Sequence, residues 1–167
     1  MSTHNQPKHG QDATLDSLRG AIGHRALWMG LLLQEAQAQG LDWEKLGHAA
    51  IFKAGCLHGE EIKRRMAVAG SLPSFGSAFF TDEIKRIFEI EVKRCDEEVL
   101  CLEYGHCPLV TAWKRLGLEG EMLAKLCDVA MSGDRGITSR FSQFRFELGE
   151  TIAQGHDHCV VQFLREK

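Results

Sequence analysis

Over residues 14–39 the apolar side chains Leu15, Leu18, Ile22, Ala26, Met29 and Leu33 recur every three or four positions, the spacing of one helix face. Gly40 suits the position after a helix end, and Asp42 caps a second helix running to about residue 68. Residues 69–77, AGSLPSFGS, are small and turn-forming and predict a loop. A short helix near 81–87 follows, and then the period changes. Phe88, Ile90 and Val92 alternate with Glu89, Glu91 and Lys93, the period of a half-buried strand. Residues 95–98, CDEE, turn the chain, and 99–105 return as a partner strand. Helices are expected at 108–116 and about 120–131, with SGDRG (132–136) as a turn into a further short helical segment. Phe144, Phe146 and Leu148 alternate with polar residues, and a last strand has Cys159, Val161 and Phe163 on one side. The order predicts an α+β fold: a four-stranded antiparallel sheet made of two hairpins, 88–105 and 143–165, with helix pairs packed on one face.

A chain of 167 residues fits one domain on length, here 13–167 after a polar tail at 1–12. Twenty Lys and Arg against 23 Asp and Glu, with no basic stripe, argue against a nucleic-acid partner. No apolar leader is visible at the start, and the longest apolar run (26–33) is far shorter than the ~20 residues of a membrane span. A cytoplasmic protein with no membrane partner is expected. Its six cysteines should then be reduced thiols rather than a disulfide framework.

The stretch EYGHCPLV (103–110) sets Cys107 between a histidine and a proline where a strand gives way to a helix. With Pro108 at the first helical position, Cys107 is the N-cap and faces the free N–H groups of the first turn. A depressed thiol pKa is expected there, with His106 as a neighbouring cation to raise the thiolate fraction. A small thiol that only tolerates the corner is the plain alternative. Cys127 lies among Leu123, Leu126 and Ala130, and Cys159 shares the inward face of its strand, so both point to core or pocket. GDRG offers Asp134 in a glycine-flanked turn, as a cap or as a site carboxylate, and Arg135 as a fork for a substrate carboxylate. Cys107, Cys127 and Cys159 are expected to converge on one cavity.

Residues 24–60, 104–118, 126–137 and 146–159 together resemble the L-2-amino-thiazoline-4-carboxylic acid hydrolase family. The most specific parts are the Cys-Pro at 107–108, the Cys-Asp and Gly-Asp at 127–134, and the Phe-Glu-Leu, Thr, Gly and Cys of 146–159. The resemblance implies hydrolysis of the thiazoline ring of 2-amino-thiazoline-4-carboxylate to N-carbamoyl-L-cysteine, without a cofactor. It carries over Cys107, Cys127, Asp134, Thr151 and Cys159 as site positions. Cys107 would then be the nucleophile and Asp134 the general acid/base, with His106 and Arg135 in support. The competing class is a non-catalytic small-molecule-binding or metal-binding module similar to four-vinyl-reductase-type sensor domains. In it Cys107, Cys127, Cys159 and His158 would hold zinc or iron. The expected partner is a small-molecule substrate, with a homo-oligomer possible.

Overall fold

A computed structural model of the chain describes residues 5–8 and 12–166. Residues 1–4 and 9–11 of the expected polar tail, and residue 167, lie outside the described residues. Helices α1 (Ala13–Ala38) and α2 (Trp43–Arg65) form an antiparallel hairpin. Gly40, at φ +76°, closes the turn, and the Asp42 carboxylate accepts from the Lys45 N–H at 3.0 Å as the cap of α2. Helices α3 (Leu72–Phe79) and α4 (Asp82–Phe88) lead into β1 (Ile90–Cys95) and β2 (Val99–Tyr104). Helices α5 (Pro108–Arg115) and α6 (Gly120–Thr138) come next. The chain ends with β3 (Phe144–Leu148), a short 3-10 turn (Ile152–Gln154) and β4 (Cys159–Arg165).

Both expected hairpins form. β1 pairs antiparallel with β2 and β3 with β4, and β2 pairs with β4 to give the order β1-β2-β4-β3. The period-two pattern sets which face is buried. Leu100, Leu102, Val161 and Phe163 point into a core shared with Phe75, Phe80, Ile137 and Phe141, while Glu91, Lys93 and Glu103 pair on the open face. A second core lies between α1, α5 and α6, centred on Trp113, whose indole N–H donates to the Ala26 carbonyl at 2.8 Å.

Two local expectations are corrected. The expected loop at 69–77 contains α3. Ser71 caps it, accepting from the Ser74 N–H, and Pro73 sits in its first turn where a missing N–H costs nothing. Leu72 and Phe75 drive the helix into the sheet core. The expected turn at 132–136 is continuous helix within α6. Its glycines serve packing. A Cβ on Gly136 would lie 2.2 Å from the Phe52 carbonyl oxygen, and one on Gly55 would lie 2.1 Å from that of Gly133. The α2 and α6 backbones therefore touch, and only hydrogen side chains allow it. This contact fixes the second half of α6, which carries Asp134.

Candidate functional site

Three chain segments bring chemistry to the junction between the two cores. The first is the corner after β2. Pro108 starts α5 and Cys107 is its N-cap, as the Cys-Pro step predicts. The second is one face of α6, where Cys127 and Asp134 stand seven residues apart, two turns along the same side. The third is the 151–159 segment. There the Thr151 hydroxyl and the Gln154 side chain close a capping box around the 3-10 turn, and Cys159 opens β4.

The three thiols gather. Cys107 and Cys159 pack against the cluster that contains Cys127, and negative charge on Cys107 or Cys159 raises the pKa of Cys127. Cys159 Sγ accepts from the Ile152 N–H at 3.2 Å, and the Thr151 hydroxyl hydrogen-bonds Cys127. All six cysteines are free thiols.

Tyr104 joins them from β2, directly opposite Cys159 in the strand register. Its phenol is raised well above the usual range, first by burial and then by Asp134, Cys159 and Cys107. It is neutral at working pH and able to donate a hydrogen bond. The sequence reading does not single it out. The available signal was that the chain's one tyrosine stands three residues before the Cys-Pro step.

Cys107, Asp134 and Cys159 are each only partly buried, yet burial is the main influence on all three. Each keeps some solvent contact at its surface while its ionisable group is dominated by the surrounding protein. Burial pushes the Asp134 carboxyl up to about 6, its own N–H and the Arg135 charge holding it back only partly. Cys159 is pushed up to about 12, and Cys127 is raised as well.

The expected depression of the Cys107 pKa is reversed. Burial raises it, and the N–H groups of Val110 and Leu109 pull it down by less without closing a cap hydrogen bond. The helix dipole at an eight-residue helix does not outweigh desolvation here. Nor is His106 a cation beside the thiol. It is buried, its Nδ1 lies 3.0 Å from the Asn5 carbonyl oxygen, and burial lowers its pKa.

Arg135 does not share the side of α6 that carries Asp134 and Cys127. Adjacent residues on a helix diverge by about 100°. Arg135 instead forks onto Asp128, at 2.9 Å to its carbonyl and 2.5 Å to its carboxylate, over the Phe146 ring. His158 stands on the open side of the sheet, 3.9 Å from Glu103, away from the three thiols. Among the described residues no three His, Cys, Asp or Glu side chains are grouped to hold a metal ion.

Asn5 is a second residue the sequence reading missed. It is buried at φ +76°, its side-chain oxygen accepts from the Cys107 N–H at 2.6 Å, and its amide donates to the Cys107 carbonyl and to the Thr111 hydroxyl. The 5–8 stretch is therefore a strap over the Cys107 corner. Nothing in a polar N-terminal sequence signals that.

Sequence comparison with curated proteins returns no match. Among solved structures, a trafficking protein particle complex subunit 3 from Naegleria fowleri, covalently bound to palmitic acid, is similar in fold. It has a TM-score of 0.60 at 11% identity, over 88% of this chain and 96% of that one. Among the described residues no helix is long and apolar enough to cross a membrane. The family model for L-2-amino-thiazoline-4-carboxylic acid hydrolase matches residues 19–163, and the chain belongs to that family.

Proposed function

We propose that this protein is a cytoplasmic hydrolase that opens the ring of 2-amino-thiazoline-4-carboxylate, or of a closely related small cyclic amidine, at the thiol cluster where α5, α6 and β4 meet. One observation carries the reading. A carboxyl raised to about 6 lies on the same helix face as one thiol of a three-thiol cluster, with a neutral phenol that feels both the carboxyl and two of the thiols. A group that titrates near neutrality serves as base and then as acid in one turnover. Membership of the family supports the substrate class. A reducing compartment suits six unpaired thiols.

The ring carbon between sulfur and nitrogen is the electrophile. Because Cys107 rests as a thiol, it needs a base. Cys107 Sγ bonds to that carbon as its proton passes to the Asp134 carboxylate, directly or through a water. The bond from the carbon to the ring sulfur then breaks, and the sulfur takes the proton from Asp134. This leaves an isothiourea on Cys107. Water adds to the same carbon, Asp134 accepts its proton, and the carbon–Sγ bond breaks as Cys107 recovers a proton. The balance is substrate plus water to the N-carbamoyl amino acid thiol. In this reading the neutral Tyr104 hydroxyl and the Leu109 and Val110 N–H groups, which act on Cys107, hold developing charge. Cys127, Cys159 and Thr151 shape the wall.

The test is incubation of the purified chain with 2-amino-thiazoline-4-carboxylate, with release of new thiol followed and early turnovers quenched for intact mass. Turnover with a substrate-sized adduct on the Cys107 peptide, absent in Cys107→Ser, is expected. Turnover that survives Cys107→Ala would remove the cysteine nucleophile and leave water directed by Asp134. A wild-type chain that binds the compound without turning it over would overturn the enzyme reading. It would favour a non-catalytic binder, for which the raised, apolar-packed thiols Cys127 and Cys159 are the supporting feature.

A further inference from the structure

The outer face of the α1/α2 hairpin exposes large apolar side chains, interrupted by Glu35 on α1 and Lys53 on α2. Trp28 is 63% exposed, Leu32 67% and Leu57 72%, with Leu31 and Leu46 about half exposed. At 100° per residue, Trp28, Leu31 and Leu32 lie opposite the buried Ala26, Gly30 and Leu33 of α1. By the same count Leu46 and Leu57 lie opposite the buried Gly55 and Ile62 of α2. The two stripes share one side of the molecule. Arg25 of α1 acts on His58 of α2, which fixes the antiparallel alignment that sets Trp28 and Leu32 beside the middle of α2. α1 is a 26-residue helix with apolar residues on opposite sides, so burial against α5 uses only half of it.

We propose that this face is a homodimer interface, occupied by the same face of a second copy related by a two-fold axis. The claim is independent of the catalytic reading. Two observations select a second copy. The first is size. At the stated exposures the five side chains present apolar area on the order of 600 Å², at the top of the range for patches on monomers and near the ~800 Å² each partner gives to a stable interface. The second is charge. α2 begins with Asp42 and Glu44 and ends with Lys63, Arg64 and Arg65. A two-fold axis over the middle of α2 lays it antiparallel on its copy. Each acidic end, where Asp42 caps the helix and Glu44 pairs with Lys125 of its own chain, then lies near the partner's basic end, and the two helix dipoles oppose. The same operation seats Leu57 against the small Ala50 of the second copy. A self-complementary patch of this kind closes on itself and does not propagate.

The experiment is sedimentation velocity of the full chain from about 1 to 100 μM. It is run on wild type, on Leu57→Glu and on Trp28→Ala/Leu32→Ser. These side chains are largely exposed, so the variants keep the monomer fold, and circular dichroism and thermal melting of the monomer confirm it. Twice the monomer mass is expected for wild type, with a more than tenfold weaker dimer for each variant. A wild-type dimer that weakens as salt rises supports the opposed charged ends. A monomeric wild type at the highest concentration overturns the proposal. So does a dimer that both variants leave intact. A monomer that co-floats with phosphatidylcholine vesicles through Leu57 would assign the face to lipid instead.

Discussion

Replacing Gly55 with alanine tests the contact that places Asp134. The added methyl would stand 2.1 Å from the Gly133 carbonyl oxygen and 3.0 Å from its Cα. Ordinary contact begins near 3.4 Å, and the obstructing atoms are backbone, so no rotamer change relieves the clash. The helices must separate by roughly 1 Å along much of their length, opening voids in a core packed at crystal density. Overpacking of this kind costs about 1–3 kcal/mol, and the rigid backbone partner puts Gly55 at the upper end. Alanine returns about 1 kcal/mol through helix propensity. The net expectation is a loss of about 1–2 kcal/mol. It would appear in urea unfolding as a midpoint lowered by roughly 0.5–1 M at unchanged slope. Gly20→Ala is the control. It lies on the exposed side of α1 with nothing within 4 Å of an added Cβ, so it should gain up to about 1 kcal/mol. Gly55→Ala equal to or more stable than the parent would refute the close crossing of α2 and α6.

Three further outcomes follow from the site. Asn5→Ala removes the partner of a partly buried Cys107 N–H and should cost about 1–3 kcal/mol. It should also speed iodoacetamide labelling of Cys107 as the strap loosens, which peptide mapping reads directly. Labelling of Cys107 in the wild type should climb with pH along a curve displaced above that of an ordinary thiol. A midpoint below the ordinary value would restore the dipole-activated thiolate. The Asp134 carboxyl has a folded pKa of about 6 against 3.8 unfolded, so between those values the folded state holds the proton that the unfolded state has lost. Stability therefore falls as pH rises from about 4 to 6, by on the order of 2 kcal/mol. Asp134→Asn should remove this slope and be the more stable protein at pH 7.5, as measured by urea unfolding at a series of pH values.

The two-residue period made both hairpins legible, because one sheet face is buried and a slip in register would invert it. Pro108 marked the start of α5, and Asp42 and Gly40 marked the junction of the first two helices. The misreadings share a cause. Serine, proline and glycine are turn-forming locally, but tertiary contact decides their use. Phe75 pulls 72–79 into a helix, and Gly133 and Gly136 keep α6 helical because α2 lies against them. Once 132–136 is helix, Asp134 and Arg135 must diverge, which the expected turn concealed. The sign of the Cys107 shift was out of reach for a related reason. A helix N-terminus is visible in sequence, whereas the depth of the corner depends on α6, β4 and the 5–8 strap arriving from afar. Asn5 and Tyr104 act through partners 102 and 55 positions away, Cys107 and Cys159, at separations no local pattern encodes.

The most direct test of the account is the pH profile of ring opening by wild type and Asp134→Asn, with N-carbamoyl-L-cysteine quantified by mass spectrometry. The account predicts a wild-type kcat that rises through pH about 6, where the Asp134 carboxyl loses its proton. It also predicts a fall of about 10²-fold or more in Asp134→Asn, with loss of that limb and little change in KM. A wild type that forms no product, or an Asp134→Asn variant with the wild-type rate and profile, would contradict it.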